Sequence, residues 1–141
     1  MHKTLCLALL LAASATHALS DSEKTALIAA AEQAYQQQDY AIAREKWQTL
    51  AEAGDADAQL HLGALYADGR GVTQDYSKAC KWYEKAAVQG NIFAANNLAL
   101  LYKEGQGVAQ DYGKAREWLE KAAAQGDTTA QYNLACLHYS G

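Results

Sequence analysis

The sequence predicts an all-α fold, an α-solenoid of antiparallel helix pairs, and three observations lead there. A block of 36 residues returns along the chain, proline is absent, and each complete block holds two stretches with apolar residues at helical spacing. Gly69-Arg70-Gly71-Val72-Thr73-Gln74-Asp75-Tyr76 recurs as Gly105-Gln106-Gly107-Val108-Ala109-Gln110-Asp111-Tyr112, and the segment Trp82 to Gly90 recurs as Trp118 to Gly126 at the same shift. Leu62, Leu98 and Leu134 fill one column, Leu65, Leu101 and Leu137 a second, and Gly54, Gly90 and Gly126 a third. One helix pair cannot bury its own apolar face, so successive blocks supply each other's core.

The first element, residues 1–18, has the grammar of a secretory signal peptide: Lys3, an apolar run from Leu5 to Ala13, then small residues at Ala13, Ala15 and Ala18. The run is shorter than the roughly 20 residues a membrane-spanning helix needs. Cleavage after Ala18 is expected, and cleavage after Ala15 satisfies the same small-x-small rule. The mature chain would then be exported, periplasmic or secreted, without a membrane span. Losing Lys3 leaves 11 basic residues against 16 acidic ones, and Cys6 departs with the signal.

Residues 19–54 form the next unit. Ser20 and Glu23 have capping-box spacing at its start, and Asp39, Tyr40 and Ala43 lie in register with Asp75, Tyr76 and Ala79. Two complete units follow, residues 55–90 and 91–126. In the first, Ala58, Leu62, Leu65 and Tyr66 mark one helical stripe, and Ala79, Trp82, Tyr83 and Ala86 mark the second. Gly54-Asp55, Gly90-Asn91 and Gly126-Asp127 each pair a helix stop with a cap for the next helix. Asp75 and Asp111 cap the second helices. Gly69, Gly71, Gly105 and Gly107 let the connecting loops turn, and Ala79 and Ala115 are small where helix backbones approach. The last element, residues 127–141, is a partial unit with a first helix only. That helix serves as a lid on the stack, or the coding sequence is truncated.

The pattern A-x3-L-[GA]-x2-Y-x2-G-x-G-V-x-Q-D-Y-x2-A-x2-W-x3-A-A-x-Q-G is met twice nearly in full between residues 55 and 126. It resembles the Sel1-like repeat of the tetratricopeptide-like superfamily. The unit 19–54 lacks the Gly-x-Gly-Val loop and turns through Tyr35-Gln36-Gln37-Gln38-Asp39-Tyr40, which resembles a tetratricopeptide unit. The resemblance implies a right-handed superhelix whose first helices line a concave surface. It also implies a non-catalytic adaptor that binds a protein or peptide in that groove. Counting from the Leu and Tyr columns, the groove positions it implies are Leu60, Ala64 and Asp68, then Phe93, Asn96, Leu100, Lys103 and Glu104, then Tyr132, Cys136 and Tyr139. The alternative for that face is that it packs against a missing helix or closes on itself.

Composition and motifs bear on the competing functions. With a formal net charge of -4, nothing draws the chain to nucleic acid. Relatives with this repeat have been linked to β-lactam hydrolysis, but no Ser-x-x-Lys and no Gly-x-Ser-x-Gly occurs. His61 and His138, the mature histidines, have no partner at metal-ligand spacing, so no metal and no cofactor is expected. Both read as solvated or packing residues, and His138, in the column of Tyr66 and Tyr102, reads as packing. Cys80 and Cys136 are separated by a whole repeat, beyond the roughly 7 Å that a disulfide tolerates between Cα atoms, so no disulfide is expected. A disulfide-bearing branch of the family would place cysteines where this chain has Ala58, Ala87, Ala94 and Ala123. Trp47, Trp82 and Trp118 are expected to be structural. A hydrolase with a site assembled across repeats and a non-functional fragment remain the rival readings.

Overall fold

A computed structural model of the chain describes residues 18–140, so the expected signal segment lies, except for Ala18, outside the described residues, as do Cys6 and Gly141. Seven helices follow one another among the described residues. They are α1 (Asp21–Gln36), α2 (Tyr40–Glu52), α3 (Ala56–Asp68), α4 (Tyr76–Val88), α5 (Ile92–Glu104), α6 (Tyr112–Ala124) and α7 (Thr128–Ser140). The main helix packing runs between helices adjacent in the chain, as in an all-α solenoid of repeats.

The helix ends follow from single side chains. Asp55, Asn91 and Asp127 accept from the backbone N–H of Ala58, Ala94 and Ala130 at 2.8, 2.9 and 2.8 Å, one bond at each start of α3, α5 and α7. Asp75 and Asp111 do the same for α4 and α6, at 3.1 and 3.0 Å from Lys78 and Lys114. Ser20 caps α1 through Glu23 N–H at 3.1 Å. Asp39, in the equivalent place before α2, makes no side-chain cap bond.

Glycine is required at two kinds of position. Gly105 ends α5 at φ 69° and ψ 36°, a left-handed conformation that a β-branched side chain disfavours. Gly71 has a different reason as well: a Cβ there would lie 2.5 Å from the carbonyl carbon of Tyr40, because the loop presses on the first turn of α2. Gly107 repeats that contact against Tyr76 and Ser77 at the start of α4. The Gly-x-Gly-Val loop of each unit thus fits the second helix of the unit before it.

The core falls into two clusters. One joins α1, α2 and α3 through Ala31, Trp47, Leu50, Leu62 and Leu65. The other joins α4 through α7 through Tyr83, Leu98, Leu101, Leu119 and Leu137. Tyr66 packs against both clusters. Small residues at Ala43, Ala79, Ala115 and Ala86, all fully buried, let helices approach closely.

Candidate protein-binding faces

The side chains that the resemblance places in the groove divide into anchors and supports. On α5 and α7, Phe93, Leu100, Tyr132 and Tyr139 are exposed at 69, 52, 69 and 92%, while Leu98, two residues from Leu100, is at 1%. Two residues along a helix turn the side chain by about 200°, which accounts for the contrast. On α3, Leu60 and Ala64 are half-buried and Asp68 is exposed. Asn96 and Cys136 are half-buried, and Lys103, also half-buried, lies 3.9 Å from Glu104, which is exposed.

Two depressions lie between successive first helices. One, of about 260 Å³, is lined by α1 and α3 with Trp47 of α2, and takes in Ala64, Asp68 and His61. The other, of about 210 Å³, lies among α5, α6 and α7; Asn96, Leu100, Lys103 and Cys136 line it together, with Leu119 and Leu137 as apolar wall. Leu60, Phe93, Glu104, Tyr132 and Tyr139 line neither. Asn96 is also a support. Its amide donates to Asp127 Oδ2 at 2.8 Å, tying α5 to the cap of α7.

The titratable groups of these units are arranged for packing. Burial pushes the Cys80 thiol up to about 11, with Glu84 adding to the shift, so its nucleophilic thiolate is scarce at neutral pH. Burial and Asp68 raise Tyr83 to about 12. Burial lowers His61 below its ordinary value against the opposing charges of Asp57, Glu32 and Asp55. Its ring stacks on Trp47 with centroids 4.5 Å apart, although the residue's outer edge is exposed. Cys80 and Cys136 are free thiols. Among the described residues no three His, Cys, Asp or Glu side chains gather as metal ligands.

One expectation is corrected. His138 is exposed, whereas Tyr66 and Tyr102 in its column are half-buried, because Lys78 and Lys114 of the following helices lie over their rings at 5.4 and 5.3 Å and no described helix covers α7 in that way. Leu134 is half-buried, against the full burial of Leu62 and Leu98 in its column, and it is less exposed than Tyr132.

One feature escaped the sequence. A larger depression, about 820 Å³, lies on the second-helix side along α4, with Lys78, Lys81, Trp82, Lys85 and Val88 forming one wall and Gln48 of α2 and Tyr66 of α3 opposite. Trp82 is half-buried beneath Lys85, whose Nζ is 4.6 Å from the ring centroid. The signal in the sequence was a mismatch inside the repeat: Lys81 stands where the next unit has Glu117.

The Sel1 repeat model matches residues 56–91, 92–127 and 128–141, more than half of the chain. The chain belongs to the Sel1 repeat family. Sel1 repeat proteins generally mediate protein–protein interaction and are typically non-catalytic. Among solved structures, the chain is similar to a Sel1 repeat protein from Oxalobacter formigenes, at 45% identity and a TM-score of 0.64 over 67% of this chain and 71% of that one. It is also similar to Helicobacter pylori cysteine rich protein B, at 25% identity and a TM-score of 0.63 over 65% of this chain and 69% of that one. A third neighbour is c5321, described as a protective antigen present in uropathogenic Escherichia coli strains and displaying an SLR fold, at 37% identity and a TM-score of 0.70. The match covers 72% of this chain but 22% of that antigen. No curated protein matches the chain.

Proposed function

We propose that the protein is an exported, non-catalytic scaffold that holds a peptide or protein segment along its first-helix face. The observation that carries the reading is the set of large apolar side chains left in water on α5 and α7, Phe93, Leu100 and Tyr132, of which Leu100 also lines a depression walled by Leu119 and Leu137. Aromatic anchors around an apolar pocket are the usual source of binding energy in such grooves. The scarcity of catalytic groups agrees with this role, and the charged start and apolar run of residues 1–18 support export.

Two measurements test it. Peptides selected from a display library against the purified protein should lose about tenfold or more in affinity on Phe93→Ala or Tyr132→Ala, roughly 1.4 kcal/mol, with the melting temperature little changed. Binding that survives both substitutions would place the ligand elsewhere. Residues 1–18 fused to alkaline phosphatase, an enzyme active only after export, should give activity that Leu9→Arg in the apolar run abolishes. An inactive fusion would sink the export part.

A further inference from the structure

We propose that the cleft along α4 is a second docking site, distinct from the first-helix face, and that its occupant is an acidic amphipathic helix of a partner protein. Charge complementarity argues for the occupant. The chain carries a net charge of -4, yet the wall that α4 gives this cleft presents Lys78, Lys81 and Lys85 against one carboxylate, Glu84. At the same places in the next unit, α6 presents Lys114, Glu117, Glu120 and Lys121, two charges of each sign. The opposing position also differs: Gln48 of α2 faces the cleft, whereas 36 residues on α4 carries Glu84. The positive charge is therefore particular to this unit and not a consequence of the repeat.

The shape favours a protein segment over a general polyanion. Lys78 and Lys85 are two turns apart, about 10 Å along α4, a spacing that carboxylates at i and i+7 of a second helix can match. Beside these charges the wall adds apolar surface from Trp82, half-buried, and Val88, at 71% exposure, so an acidic ligand without apolar side chains would leave them wet. Lys85 and Lys78 are already held over Trp82 and Tyr66, at 4.6 and 5.4 Å, which limits the ordering that binding must still impose. Gln59 and Gln89 close the far end, joined by a 2.9 Å hydrogen bond.

The probe is a fluorescein-labelled synthetic helix of about 15 residues, long enough to run beside α4, with Glu on one face and Leu on the flank that meets Trp82 and Val88. Its affinity for the purified chain is read by anisotropy at two salt concentrations. We expect saturable binding that weakens with salt, disappears when the Glu residues become Gln, and falls about tenfold or more in Lys81→Glu. That variant is built to fold, because Lys81 is exposed and Glu117 occupies the same place on α6. Phe93→Ala should leave the affinity unchanged, which separates this site from the proposed groove. The inference is overturned if the peptide does not bind, or if Lys81→Glu binds as well as the original. Equal loss in Phe93→Ala would also overturn it, as would dextran sulfate binding as tightly with the same response to Lys81→Glu.

Discussion

In the unit of residues 55–90, Gly63 of α3 faces Tyr83 of α4; in the unit of residues 91–126, the same two positions hold Ala99 and Leu119. A Cβ on Gly63 would lie 2.7 Å from the Tyr83 ring, closer than carbon atoms tolerate, so the tyrosine is admitted because the facing residue has no side chain. Both second-helix residues are equally buried, at 4%. The repeat therefore keeps the volume between the helices and not the identity of what fills it.

The largest expected effect separates the two faces of one helix. Leu98→Ala should destabilise the fold by about 2–5 kcal/mol, as cavities in packed cores do, whereas Phe93→Ala on the exposed side of α5 should cost no more than about 0.5 kcal/mol. Urea unfolding followed by circular dichroism measures both. Similar losses for the two would mean that Phe93 is packed and that the binding face has been misplaced.

Gly63→Ala comes next. It should cost about 1–3 kcal/mol by overpacking against Tyr83, and Tyr83→Leu in the same chain should recover part of that loss by copying the Ala99–Leu119 pair. A double-mutant cycle with no coupling would show that the two residues do not share one space.

The columns, caps and loop glycines were legible in the sequence because each acts through a local rule: a left-handed residue after a helix, an Asp or Asn before one, apolar residues at helical spacing. What escaped depends on the neighbouring helix. Trp82 looks structural beside Trp118, and it does cover the core, but the position of α2 with Gln48 turns its flank into the wall of a cleft. His138 shares a column with two half-buried tyrosines, yet that burial comes from the helix that follows each tyrosine. Column membership predicts a direction from the helix axis and leaves the degree of burial to the neighbours.

A smaller effect tests the contrast between the first unit and the rest. The α1–α2 turn places Gln38 at φ 65°, the conformation that Gly69 and Gly105 take after α3 and α5. Gln38→Gly should relieve the left-handed strain while giving the unfolded chain more freedom, for a net gain of at most about 1 kcal/mol. Thermal denaturation would register it as a rise of a few degrees at most for a domain this size. A lower melting temperature would mean that the Gln38 side chain contributes contacts outweighing the strain.

The smallest effect is a change of slope with pH, centred on the stack of His61 upon Trp47. Burial lowers the folded-state pKa of His61 below 6.5, its ordinary value, and the carboxylates of Asp57, Glu32 and Asp55 offset only part of that shift. The unfolded chain then binds the proton more readily than the folded one. Through this residue stability is full above about pH 6.5 and declines as the pH falls toward the folded-state pKa. His61→Gln should remove that contribution, so the difference in melting temperature between the variant and the original chain should change as the pH is lowered from 7.5 to about 5. The original should lose more stability than the variant over that interval. Parallel pH profiles would mean that His61 protonates as easily on Trp47 as in water. A steeper loss in the variant would mean that Asp57, Glu32 and Asp55 outweigh burial and reverse the sign.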